Sequence, residues 1–102
     1  GKNCWIGPNV ILDGTGGLTI GDNVDISAGV HIYTHHTIDK ATLKGDQKIK
    51  TMSTEIGSNV YIGPNSVLQM GISIGAESVI GALSFVNKDI PKNGKYILGK
   101  LI

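Results

Sequence analysis

Along this chain a branched apolar residue returns every six positions, at Ile6, Leu12, Ile20, Ile26, Ile32, Ile56, Ile62, Leu68, Ile74, Ile80 and Val86, interrupted by one eight-residue step and one long gap. Glycine follows it at Gly7, Gly21, Gly57, Gly63, Gly75 and Gly81. A period of six fits neither an amphipathic helix, whose apolar face recurs at three and four, nor a strand, whose faces alternate at two. It predicts short flat strands joined by tight corners, one large inward side chain per hexad. One hexad cannot bury that side chain alone, so the repeats must stack into a continuous core. With three hexads to a turn, equivalent residues pile into columns, the backbone pairs as parallel strands, and about four turns make a prism roughly 20 Å tall. The fifth position agrees, being small or branched at Val10, Val24, Val30, Val60, Ser66, Ser78 and Ser84. The positions between carry Asp22-Asn23, Ser58-Asn59 and Pro64-Asn65, where corners need positive φ or a local side-chain bond. The expected fold is all-β: a single domain over residues 1–102, wound as a parallel β-helix.

The period breaks twice. Asp13-Gly14-Thr15-Gly16-Gly17 adds two residues between Leu12 and Ile20, which predicts a corner bulging out of the coil. After Ile32-Tyr33-Thr34-His35-His36 the frame is lost until Ile56. Residues 37–55 carry Lys40, Lys44, Lys48 and Lys50 beside Asp39, Asp46 and Glu55 without apolar periodicity, and read as a protruding loop. A departure of this length from a regular repeat is disordered or functional. The paired histidine at its start favours function.

Composition adds bounds. Fifteen glycines and only five aromatics suit a narrow aliphatic core. The net charge of +1 and the absence of a dense basic tract give no argument for nucleic acid. Cys4 is the single cysteine, so no intrachain disulfide forms and a reducing, cytoplasmic location is permitted. No apolar run approaches the roughly 20 residues that cross a bilayer. The hexad at Gly1–Trp5 lacks its leading apolar residue and Leu101-Ile102 follows a glycine turn directly, so a fragment of a longer chain is expected.

The hexads, the histidine pair before the loop, the run Ile56-Gly57-Ser58-Asn59-Val60-Tyr61-Ile62-Gly63 and the segment Gly81-Ala82-Leu83-Ser84-Phe85-Val86-Asn87-Lys88-Asp89-Ile90-Pro91 resemble the hexapeptide-repeat acyltransferases. The resemblance is closest to the branch that O-acetylates sugars and polysaccharide precursors. It implies a left-handed parallel β-helix, a homotrimer with active sites between subunits, acetyl-CoA as donor, a small-molecule or lipid-linked sugar as acceptor, and no metal. It also implies a histidine general base, since a sugar hydroxyl is a poor nucleophile at neutral pH. His35 fits the family's Thr-His or Ser-His pattern, whereas His36-Thr37-Ile38-Asp39 fits a His-Pro-Leu-Asp pattern after one deletion. His35 is favoured and His36 stays open. The Asp or Pro that often follows the histidine in the family is missing after His35, so its orienting partner is unassigned. His31 is expected to face outward from its strand.

On the donor side the resemblance puts Tyr61 beside the thiol arm, and Gly63, Gly81 and Ala82 at corners where pantetheine approaches the backbone. Asn87 and Lys88 match a position that holds nucleotide phosphates, with Lys92, Lys95 and Lys100 making that end basic. An N-acyltransferase of an amino sugar would use the same scaffold. A γ-class carbonic anhydrase needs three zinc histidines from different coils, and His31, His35 and His36 crowd one strand and corner. A purely structural solenoid should show a threonine ladder and no long loop.

Overall fold

The computed structural model describes residues 1–45 and 48–102; Asp46, one of the loop charges named above, lies outside the described residues. The corners set the architecture. Three residues before most inward apolar residues the backbone turns left-handed: Asn3, Asn9, Asn23, Asn59, Asn65, Glu77, Leu83 and Asn93 have φ between 55° and 63°. Gly17, Gly29 and Gly71 do the same before Ile20, Ile32 and Ile74, whereas Ile56 and Ile90 are reached without a left-handed residue at that place. Asparagine tolerates this conformation and glycine has no Cβ to oppose it. The polar residues of the hexads thus bend the chain once every six residues.

Between corners lie short strands. The first turns contain β1 (Trp5–Ile6), β2 (Ile11–Leu12), β3 (Leu18–Ile20), β4 (Asp25–Ile26) and β5 (His31–Ile32). The chain then leaves the coil through β6 (His35–His36), a short helix α1 (Ile38–Thr42) and β7 (Lys50–Thr51). It resumes with β8 (Thr54–Ile56), β9 (Tyr61–Ile62), β10 (Val67–Leu68), β11 (Ser73–Ile74), β12 (Val79–Ile80) and β13 (Phe85–Val86), and ends in β14 (Lys95–Ile97) and β15 (Lys100–Leu101).

Three parallel faces result. The first is β1-β4-β9-β12-β14, closed by an antiparallel β15; the second is β2-β5-β10-β13; the third is β3-β8-β11, extended by a bridge from Ile74 to Ile90. Each face contributes one register column to the core: Ile6, Ile26, Ile62, Ile80, Tyr96; then Leu12, Ile32, Leu68, Val86; then Ile20, Ile56, Ile74, Ile90. This is a parallel β-helix, with the hexads inward as the sequence predicts. Ile26, Ile32, Ile62, Leu68, Ile80 and Val86 are fully buried, each contributing about 1.5–3 kcal/mol of hydrophobic stabilisation. Ser66, Ser78 and Ser84 are buried too, and their hydroxyls donate to the corner carbonyls of Gly81, Gly75 and Pro91. Ile90 and Tyr96 extend two columns past the last hexad of the regular series, and the Lys88 ammonium lies 5.3 Å above the Tyr96 ring.

The two breaks in the period share one corner. Asp13–Gly17 follows β2, the excursion follows β5, and β2 and β5 are neighbours on the second face. The bulge of the first turn therefore lies directly against the start of the excursion in the second. Outside the coil, β6 and β7 pair antiparallel, His35 opposite Thr51 and His36 opposite Lys50. The buried Thr54 hydroxyl donates toward the Tyr33 and Gln69 carbonyls and accepts from the Gly71 amide, fastening the returning chain to the start of the gap and to the matching corner of the next turn.

Candidate active site

The bulge gives its carboxylate to the excursion. One Asp13 oxygen, Oδ1, accepts from the Thr15 hydroxyl at 2.6 Å and the Thr15 amide at 3.1 Å. The other, Oδ2, accepts from the Thr34 amide at 2.8 Å and from His35 Nδ1 at 2.5 Å. The Thr15 hydroxyl foremost, then the Thr34 amide, with smaller help from His35 and the Thr15 amide, hold the Asp13 carboxyl well below the ordinary carboxylate range despite its desolvation. A carboxylate that stays ionised accepts only, so His35 carries its neutral-state proton on Nδ1 and keeps an unshared pair on Nε2.

Thr34 makes this arrangement rigid. It is fully buried, its hydroxyl donates to the Asp13 carbonyl at 2.8 Å, and the same oxygen accepts from the Gly16 amide at 2.8 Å. Its own carbonyl accepts from the Met52 amide at 3.0 Å, so the end of the excursion ties back to the start. A Cβ on Gly16 would collide with that carbonyl. The bulge needs its glycine there because two backbones touch.

Past the dyad, Tyr33, His35, His36, Thr37, Ile38, Ala41 and Thr42 line an open depression of about 450 Å³. The His35 side chain is 31% exposed. His36 lines the same depression, but its Nδ1 accepts the Ile38 amide at 3.3 Å, at the first residue of α1. His31 stays on the second face, half-buried, with Nδ1 3.0 Å from the Tyr33 hydroxyl and the two rings edge to face.

The residues expected on the donor side lie elsewhere in the chain. None of Tyr61, Gly63, Gly81, Ala82, Asn87 and Lys88 lines the depression. Tyr61 points out of the first face, 42% exposed, and Gly63, Gly81 and Ala82 form the corner where the first face meets the second. Gly63 has a packing cause: a Cβ there would stand 2.5 Å from the Ala82 amide nitrogen of the next turn. Gly81 is looser, its Cβ meeting Ile97 at 3.5 Å, an ordinary contact. Asn87 and Lys88 are exposed on the His35 corner, two turns above it, with Gln69 between.

The residue missed from sequence is Asp13. It lies 22 positions before His35, and nothing local marks it. The usable signal was the spacing of the breaks: each follows the second hexad of a three-hexad turn, so they must stack.

Known proteins match this chain along most of its length. Residues 53–88 match the family model for the bacterial transferase hexapeptide (six repeats), and residues 1–34 match that for the hexapeptide repeat of succinyl-transferase. A galactoside O-acetyltransferase of Escherichia coli is 38% identical over 94 residues, covering 91% of this chain and 46% of the relative. One from Lactococcus lactis is 34% identical over 114 residues, covering 91% and 55%. The crystal structure of a maltose O-acetyltransferase from Clostridium difficile superposes with a TM-score of 0.88 at 34% identity, covering 99% of this chain and 55% of that one. The chain thus spans about half the length of these relatives.

Proposed function

The chain belongs to the hexapeptide-repeat transferases, and from that premise we propose that it is the acyl-transfer unit of an acetyl-CoA-dependent O-acetyltransferase acting on a sugar hydroxyl, with His35 as general base. The observation that carries this reading is the Asp13–His35 pair at the mouth of an open depression. Asp13 fixes the tautomer and steadies the imidazolium that forms, while Nε2 takes the proton of the acceptor hydroxyl. The hydroxyl oxygen bonds to the thioester carbonyl carbon, the carbon–sulfur bond breaks, and the proton passes from Nε2 to the leaving thiolate. The names of the relatives support the reaction class and the sugar acceptor.

Donor contacts at Tyr61, Gly81, Ala82, Asn87 and Lys88 belong to the same reading, and Gly63 contributes there by letting the Ala82 turn close on it. So do a left-handed winding, a cytoplasmic location where acetyl-CoA is supplied, and assembly as a homotrimer with sites between copies. The outward residues support assembly. On the second face Ile11, His31, Val67 and Phe85 form a mostly apolar ladder in register, with Ile11 44% and Phe85 56% exposed, whereas the third face shows Thr19, Glu55 and Ser73. That ladder runs between the Gly81-Ala82 corner and the His35 corner. Copies packed along it would bring a neighbour's donor corner toward His35.

Thiol release from acetyl-CoA with a panel of methyl glycosides and disaccharides tests the reading. His35→Ala should lose about 10²–10⁴-fold in turnover, with the fold kept by circular dichroism. Full activity in that variant refutes His35 as base. Sedimentation as a stable monomer refutes the intersubunit site.

A further inference from the structure

We propose that His36 is a hydrogen-bond donor to the acceptor, and that the hydroxyl acylated at this site is one of a vicinal pair; this rests on the reading of His35 as base. The two imidazoles are consecutive and line one depression, yet their Nδ1 atoms are committed in opposite senses. His35 Nδ1 faces the Asp13 carboxylate, which can only accept, so the ring is an Nδ1–H tautomer with a bare Nε2. His36 Nδ1 faces the Ile38 amide, which can only donate, so that ring is an Nε2–H tautomer. With Nδ1 occupied on both rings, Nε2 is the nitrogen each has left for a ligand. The depression therefore offers one acceptor and one donor side by side.

A vicinal diol is the complement. One hydroxyl gives its proton to His35 and attacks; its neighbour's oxygen accepts from His36. A donor placed on the attacking oxygen itself would draw on the lone-pair density that must reach the carbonyl carbon, so the productive partner of His36 is the adjacent oxygen. A sugar ring supplies such pairs, whereas an isolated alcohol leaves the His36 N–H unanswered in the complex.

Two measurements test this. Long-range ¹H–¹⁵N NMR of the wild-type protein above the histidine titration range reads the tautomers without any acceptor. The expected result is Nδ1–H at His35 and Nε2–H at His36; the same tautomer on both rings overturns the proposal. The second measurement compares methyl glycosides with their monodeoxy analogues, using acetyl-CoA as donor. Removing the oxygen next to the acylated position should lower kcat/KM in wild type by roughly three- to tenfold, the worth of one neutral hydrogen bond. His36→Ala should acylate the pair of acceptors equally, and His36→Gln, which can return an N–H near Nε2, should restore part of the difference. Undiminished discrimination in His36→Ala, or acetylation of cyclohexanol as fast as of the methyl glycosides, overturns the proposal. Loss of all turnover in His36→Ala with activity kept in His35→Ala makes His36 the base, and sinks this proposal together with the His35 assignment. Loss in His35→Ala alone leaves the base reading standing whatever the discrimination shows.

Discussion

Asp13→Asn isolates the dyad from the rest of the fold. The substitution keeps size and shape and removes one charge, but both carboxylate oxygens of Asp13 face only donors: Thr15 on one side, the Thr34 amide and His35 Nδ1 on the other. An amide must turn its NH₂ toward one of those sides. If the NH₂ faces Thr15, the hydroxyl can turn to accept from it, but the Thr15 amide at 3.1 Å opposes it. If it faces His35, the Thr34 amide opposes it, and the imidazole relieves its own clash by moving its proton to Nε2. That second tautomer has no lone pair at Nε2 and cannot accept the hydroxyl proton. The base contribution should then fall by about 10²–10⁴-fold in kcat, with KM for the acceptor changed little, because Asp13 does not line the depression. Thiol release at saturating acetyl-CoA across pH 5.5–9 is the assay, with the His35 ring nitrogens followed by NMR in parallel. A kcat within threefold of wild type, with the Nδ1–H tautomer retained, would show that His35 does not depend on Asp13.

Four further outcomes follow from the same geometry. The depressed folded-state pKa of Asp13 means that the unfolded chain takes up its proton first as pH falls; its stabilisation is whole above about pH 4 and drains away toward the depressed value, so Tm should fall more steeply below pH 4 in wild type than in Asp13→Asn. Gly63→Ala should destabilise by about 1–3 kcal/mol through overpacking against the next turn, whereas Gly81→Ala, with contacts at 3.5 Å, should leave urea melts nearly unchanged and raise KM for acetyl-CoA if that corner holds the donor. Leu83, at φ 60° and 79% exposed, is with Glu77 one of the two hexad corners that are neither Asn nor Gly; Leu83→Asn should raise stability by about 1 kcal/mol in the same melts, and a loss refutes corner strain. Deleting Thr15 and Gly16 restores a six-residue step from Leu12 to Ile20, so the β-helix spectrum by circular dichroism should persist while turnover falls as in Asp13→Asn.

The fold was legible because each hexad states its geometry locally. A branched residue points in, Asn or Gly three places earlier turns the corner, and stacking then follows without further instruction. The columns were under-read only where spacing slips: Ile90 comes four residues after Val86, yet it bridges to Ile74 and Tyr96 resumes the first column. At Gly63 a sequence shows that a side chain is missing, not that packing of the next turn requires it. The Ala82 backbone fills that place. The histidine pair is visible as an interruption, but what distinguishes its members is the group that faces each Nδ1, the Asp13 carboxylate for His35 and the Ile38 amide for His36, and both partners come from chain geometry.

Asp13 shows why such a site escapes a reading made along the chain. In a coil, residues one turn apart are neighbours through stacking, and their separation in sequence depends on the insertions between them. A break examined alone reads as a loose corner. Two breaks at one corner of successive turns mean more: the lower one must accommodate the upper, since the backbone there is shared through Thr34. A carboxylate placed within the excursion would depend on a segment whose helix buries no residue. Placed on the bulge, it is held by Thr15 and Thr34 against the coil itself, and the coil is braced by its buried columns. The orientation of the imidazole is therefore inherited from the hydrophobic repeat, and variants that loosen the Ile32 or Ile20 columns should disturb the pH dependence of turnover before they unfold the protein.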